Sequence, residues 1–171
     1  LSAATKLITG LAGLLARRQR LHAVARLLYE GPWVAERYAA TKPLIEDHPE
    51  AFFPTTLKII GGAKGLTAVA AFEAMYKLAD FKRKTAPIFD SVDCLAVPTL
   101  PRLYTLADLE AEPILYNSNL GTYTNFVNLL DLAAISVPVG MRADGHPSSL
   151  TLIGKAQSDG ALAGIAAAIA A

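Results

Sequence analysis

The pattern of apolar and polar positions divides the chain into a helical first half and a mixed second half. Leu14, Leu15, Leu21, Val24, Ala25, Leu27 and Leu28 recur at three- and four-residue spacing, which predicts a helix over Ala12–Tyr29. Glu30-Gly31-Pro32 breaks it, since glycine ends a helix readily and proline fits the first turn of the next. Trp33–Ile45 carries an irregular amphipathic pattern, Asp47–Glu50 reads as a turn, and Phe52–Ile60 is a second short helix stopped by Gly61-Gly62. Thr67 stands where a side-chain cap would open a long helix over Ala68–Phe89. Val69, Phe72, Met75, Tyr76, Ala79 and Phe81 form the expected apolar side of that helix. Lys77, Lys82, Arg83 and Lys84 form its wet side.

The periodicity shortens after Asp93. The run DCLAVP, Asp93–Pro98, reads as a buried strand stopped by proline. Thr99–Asn117 is a long connection with one helical turn near Ala107–Glu110. Asn119–Gly140 starts as a polar turn, passes through a helix-like segment over Tyr123–Leu130 and ends in the apolar run Ala133–Val137, which Pro138 and Gly140 are expected to stop. Leu150–Ile153 is a further strand, and the turn over Arg142–Pro147 holds Asp144-Gly145, which predicts an antiparallel pairing of the last two strands. Asp159 is expected to cap a closing helix, Gly160–Ala171. The fold class is therefore α/β, with several helices packed on a mixed sheet, and no repeat or low-complexity linker separates two domains.

Composition narrows the function classes. The chain has 171 residues, enough for one real core, and its 53% apolar content excludes a disordered polypeptide. A formal net charge of +1 gives no nucleic-acid footprint, and the run Lys82–Lys84 lacks interleaved aromatic residues. Cys94 is the only cysteine, so no disulfide framework exists; this fits a reducing, cytoplasmic setting. His22, His48 and His146 are too scattered for ligand spacing. Leu7–Leu15 is too short to span a bilayer, and its arginines follow the apolar run, the reverse of a secretory signal. It reads better as a helix lying on another part of a larger protein than as a membrane-surface helix.

Candidate nucleophiles and acids are poorly supported. Ser148-Ser149 sits near Lys155 in sequence, but no Gly-x-Ser-x-Gly elbow or Ser-x-x-Lys box is present. Cys94 reads as a core thiol, and Asp108, Glu110 and Glu112 as solvated acids on a connection. Tyr29 and Arg37 flank the Gly31-Pro32 break, where a phenol and a bidentate guanidinium can face one cavity. The alternative is a helix corner with Arg37 paired to Glu36 or Glu30. Asn117, Asn119, Thr122, Tyr123, Thr124, Asn125 and Asn128 form a polar cluster. Most of it ties backbone groups in a loop, with Asn119, Thr122 and Asn125 as candidate cleft wall.

Three stretches carry a resemblance. NSNLGTYTNFVNLLDLAAISVPVGMRADGHPSSLTLIGKAQSD (Asn117–Asp159), DCLAVPTLPRLYTLADLEAEPI (Asp93–Ile114) and ARLLYEGPWVAERYAA (Ala25–Ala40) together resemble the C-terminal part of an amidase-signature domain, and more narrowly the allophanate hydrolases. The resemblance divides the chain into a lead segment, 1–24, and an amidase-like portion, 25–171. It implies a partial amidase-signature fold, a parent enzyme using a Ser-cis-Ser-Lys triad, hydrolysis of allophanate with release of ammonia, and no metal or organic cofactor. Its partners would be a small-molecule substrate, allophanate, and a second copy of the protein, without nucleic acid or membrane. It also assigns substrate binding to Tyr29 and Arg37 of YEGPWVAER. No glycine- and serine-rich triad segment is present in these residues, so catalytic residues are assigned to none of them. The family's usual glycine near Ser149, and its hydrophobic or aromatic residue near Ser148, are missing.

Three readings follow. The chain is the substrate-recognition portion of an allophanate hydrolase and inactive alone, or a truncated amidase homologue with a binding or structural role. The third is an amidase of different specificity, which YEGPWVAER and LGTYTNFVNLLDL oppose. A piece lacking central strands is also expected to expose sheet edges and apolar surface.

Overall fold

The computed structural model describes residues 21–28 and 31–170. The expected first helix is seen over 21–28, here α1; its earlier part and Tyr29 lie outside the described residues. Next come α2 (Trp33–Asp47), a 3-10 turn at Pro49–Ala51, α3 (Pro54–Gly61), a second 3-10 turn at Gly62–Gly65, and α4 (Ala68–Asp90). The second half holds β1 (Leu95–Pro98), α5 (Leu106–Ala111), α6 (Pro113–Leu120), β2 (Ala133–Met141), β3 (Pro147–Gly154) and α7 (Asp159–Ala170). Several helices against a sheet is the α/β arrangement expected. The three strands, ordered β1-β3-β2, all pair antiparallel among the described residues rather than forming a mixed sheet.

The sheet is covered on both faces because β3 is its central strand. Alternation sends Thr151 and Ile153 one way and Leu152 the other. Ile153 joins Val24, Ile88, Phe89, Phe126, Val127, Leu129 and Leu130 in one core. Leu152 joins Ala133, Val137, Leu162 and Ala166 in the other, beneath α7. Ile153 and Leu152 are 0% and 1% exposed. Burying a side chain of that size contributes roughly 1.5–3 kcal/mol, so β3 is the mechanical centre of the described fold.

Four local expectations need correction. Pro138 and Gly140 do not stop β2: a bulge between them absorbs the irregularity, Gly140 takes φ +120°, and pairing continues to Met141 opposite Pro147. Proline is tolerated there because β2 is an edge strand and the bulge interrupts the ladder. Tyr123–Leu130 is not a helix but a succession of hydrogen-bonded turns ending at Asp131, with φ +59°. The helix forms one step earlier, as α6, where Pro113 presets the first turn. Asp159 does not cap α7 from outside but is its first residue, while the carbonyl of Ser158 accepts from Leu162 N–H. The apolar side assigned to α4 is in large part its outer one, since Val69, Phe72, Met75 and Tyr76 are exposed. The buried side holds Ala74, Thr85, Ile88 and Phe89.

The cap at Thr67 forms as read, with Ala70 N–H donating to Thr67 Oγ1 at 3.1 Å. The sharp break at Gly31-Pro32 is also real. Gly31 N–H donates to Leu27 carbonyl oxygen at 3.0 Å, and a Cβ on Gly31 would run into that same oxygen. Pro32, with φ −76°, then leads into α2.

Candidate functional site

The helix corner is built by Gly31 and Pro32 and leads to Arg37 on the first half of α2. Arg37 is the fifth residue of that helix, so it stands just over one turn beyond the corner, nearer than the two turns expected. Its side chain is exposed, Thr41 Oγ1 donates to its carbonyl at 2.7 Å, and it makes no ion pair with Glu36 among the described residues. Tyr29 and Glu30 lie outside the described residues, so the Tyr29–Arg37 juxtaposition is not part of this geometry.

Beside the corner is a cavity of about 440 Å³ between α1 and the N-terminal half of α4. Gly31 and Pro32 line it with Arg26, Glu73 and Lys77. Sequence reasoning assigned Lys77 to a wet helix face and passed over Arg26 and Glu73. Only the approach of α4 to the corner, a tertiary fact, brings them together. A smaller cavity, about 270 Å³, lies on the C-terminal half of α4, where Lys155 Nζ bridges to Asp90 Oδ1 at 2.7 Å.

The polar cluster proves partly structural. Asn119 Nδ2 donates to the Tyr104 hydroxyl at 3.2 Å, and Thr122 Oγ1 donates to the Asn119 carbonyl at 2.5 Å. The Asn125 side chain lies directly against Gly121, where a Cβ would collide with its amide. Asn119, Thr122 and Asn125 are thus gathered into one half-buried segment. Tyr104, which sequence reasoning did not single out, is stacked on Tyr116 at 4.7 Å with the Arg102 guanidinium 4.5 Å from its ring centre. A signal was available beside it: Thr105 and Asp108 form a capping box that fixes where α5 starts.

That box also disposes of Asp108 as a general acid. Hydrogen bonds from Thr105 backbone and side chain hold the Asp108 carboxyl below its usual range, so it stays ionised near neutrality. Glu110 and Glu112 are exposed at the end of α5.

Among the described serine, threonine and cysteine side chains none meets a described carboxylate, histidine or lysine; the Tyr38 hydroxyl donates to Glu46 Oε1 at 2.7 Å, an exposed tie within α2. Ser148 and Ser149 lie in β3 opposite Gly140 and Pro138, while Lys155 follows the far end of the strand. Six residues of extended chain span about 20 Å, which separates Ser149 from Lys155. Burial, followed by the nearby Asp93 charge, raises the Cys94 thiol pKa and suppresses its thiolate. The sheet does assemble one unforeseen network: Thr151 Oγ1 donates to Thr99 Oγ1 at 3.0 Å, and Thr99 Oγ1 meets Ser136 Oγ at 3.1 Å. These hydroxyls come from β2, β3 and the residue that follows β1, 37 and 52 residues apart, so only register reveals them. Among the described residues no three His, Cys, Asp or Glu side chains are grouped to hold a metal ion. No described helix is long and apolar enough to cross a membrane.

Comparison with known proteins places this geometry. Residues 22–163 match the Amidase family model. The chain is 49% identical over 141 residues to the urea amidolyase of Saccharomyces cerevisiae, an alignment covering 81% of this chain and 8% of that protein. A Kluyveromyces lactis allophanate hydrolase with one serine-to-alanine substitution superposes with a TM-score of 0.82 at 47% identity, covering 86% of this chain and 24% of that one. The crystal structure of the K. lactis urea amidolyase gives a TM-score of 0.83 at 47% identity, over 86% of this chain and 9% of the larger one. The chain therefore spans less than a quarter of the length of each of these relatives.

Proposed function

The chain belongs to the amidase family, and from that premise we propose that it is the substrate-recognition portion of an allophanate hydrolase, inactive alone. The observation that carries the reading is the GPWVAER corner, with Gly31 and Pro32 setting the turn and Arg37 exposed just beyond it, in a chain 47% identical to an allophanate hydrolase. In this reading Arg37 offers its planar fork to the substrate carboxylate, and Tyr29 adds a directional hydroxyl. Asn119, Thr122 and Asn125 form cleft wall, held in shape by Tyr104 and Gly121.

The reaction of the complete enzyme is hydrolysis of the terminal amide of allophanate. The C–N bond breaks, water supplies the new oxygen, and ammonia leaves with a carboxylated carbamate as the other product. The nucleophile and base belong to a Ser-cis-Ser-Lys triad supplied outside these residues, and no cofactor takes part. We place the complete enzyme in the cytoplasm as a homo-oligomer, acting without nucleic acid or membrane.

The test is ammonia release from allophanate. Purified chain is expected to give none, while K. lactis allophanate hydrolase in which this chain replaces the matching stretch is expected to turn over. Turnover by the chain alone rejects the assignment of catalysis elsewhere. A folded but inactive chimaera rejects allophanate recognition. The absence of a described nucleophile–base pair also supports a second reading, a non-catalytic amidase homologue, and the folded but inactive chimaera is the outcome that favours it.

A further inference from the structure

The strongest unexplained feature is the outer face of the N-terminal half of α4. Val69, Phe72, Met75 and Tyr76 are 67%, 55%, 57% and 70% exposed. At 100° per residue these four fall on one side of the helix, opposite Ala74, Phe81 and Thr85, which face the core. Phe72 and Tyr76 touch, with ring centres 6.4 Å apart, so the patch is continuous. It is also bounded: about two and four turns beyond Tyr76, the same side carries Arg83 and then Asp90. A helix that is apolar on two opposite sides over only half its length is built to be covered there on both.

We infer that this face docks the catalytic portion of the amidase domain, the part that K. lactis allophanate hydrolase carries outside the matched stretch. The inference rests on the functional reading above. Two observations select this occupant. The patch measures roughly 400–500 Å² from side chains of this size and exposure, about half the ~800 Å² per partner that a stable dimer buries. A contact of that size holds best when chain continuity or a larger shared fold supplies the rest of the association. The matched stretch also covers only 24% of that relative's chain, so a large remainder of the fold is available to cover it. The occupant must be mainly apolar, with a polar group at its rim for the Tyr76 hydroxyl.

The test places Phe72→Asp with Tyr76→Asp in two contexts, the isolated chain and the K. lactis chimaera, with Phe72→Leu as a mild control in each. In the isolated chain the double variant is expected to leave Tm within about 1 °C, since the patch faces water. In the chimaera it is expected to lower Tm by roughly 5 °C or prevent folding, while Phe72→Leu folds with a smaller loss. A chimaera whose Tm ignores the double variant overturns the inference, because the face is then open in the larger fold. So does an isolated chain that sediments as a dimer and dissociates with the double variant, which would make a second copy the occupant. A chimaera with native side chains that fails to fold overturns it too, since a matching face must seat. If the chimaera folds and shows the Tm loss but never hydrolyses allophanate, the docking stands and the functional reading falls.

Discussion

The two sides of β3 and the two sides of α4 are built on opposite terms. On β3, Ile153 and Leu152 are buried on opposite faces by two separate cores, so every apolar position of that stretch has a partner within the chain. On α4, the side bearing Ile88 and Phe89 is buried while the side bearing Phe72 and Tyr76 is exposed. Apolar content is similar in both; what differs is whether the described residues supply a second layer. The lesson is that an apolar face in a sequence predicts burial, but not by what.

The largest effect expected from this contrast is at β3. Ile153→Ala leaves a cavity in a fully packed site and should cost about 2–5 kcal/mol, whereas Phe72→Ala in the isolated chain should stay within about 0.5 kcal/mol. Urea unfolding midpoints at constant m-value measure both, and equal losses would erase the distinction. Next comes the corner: Gly31→Ala pushes a methyl into the Leu27 carbonyl and should cost roughly 1–3 kcal/mol by overpacking. Thermal unfolding reads it, and an unchanged Tm would mean that α1 and α2 meet at another angle.

Smaller effects test the polar ties. Thr151→Val removes the buried hydroxyl that donates to Thr99 and should cost about 1 kcal/mol, less than Ile153→Ala two residues away. Denaturant unfolding of the two variants side by side ranks them, and the reverse order would contradict the packing assigned to β3. The smallest effect concerns pH. Hydrogen bonds hold the Asp108 pKa below its ordinary value, so the cap's contribution is fully present above the unfolded carboxylate pKa, about 4, and is lost as pH falls through the lower folded value. Asp108→Asn should flatten the stability profile below pH ~4 and lower stability slightly near neutrality, where the ionised carboxylate is lost. Melting curves from pH 2 to 7 would show a steeper acid slope in the variant if this sign were wrong.

The legible parts of the fold carry strong local chemistry. The Thr67 cap, the Gly31-Pro32 break, the strand before Pro98 and the Asp144-Gly145 hairpin each follow from a residue type with one dominant local role. Pro138 misled because strand edges tolerate proline once a bulge takes up the missing donor, and edge position is not a local property. Most of α6 falls in the stretch expected as connection, where Pro101 and Pro113 suggest a loop, yet Pro113 starts a helix and Asn117 Nδ2 donates back to the Pro113 carbonyl. The site divides in the same way. Arg37 and the Asn119 cluster are candidates that residue type and order single out, while Tyr104, the Arg26–Glu73–Lys77 cavity and the Thr99–Ser136–Thr151 network depend on how distant elements meet.

The central claim is that the Gly31-Pro32 corner presents Arg37 to the carboxylate of allophanate. Its most direct test is steady-state ammonia release by the K. lactis chimaera with and without Arg37→Ala. Loss of a charge-assisted pair should lower kcat/KM by about 10- to 100-fold, with Arg37→Lys recovering only part of it and Tm unchanged. Equal kinetics for Arg37→Ala and the unsubstituted chimaera would contradict the account.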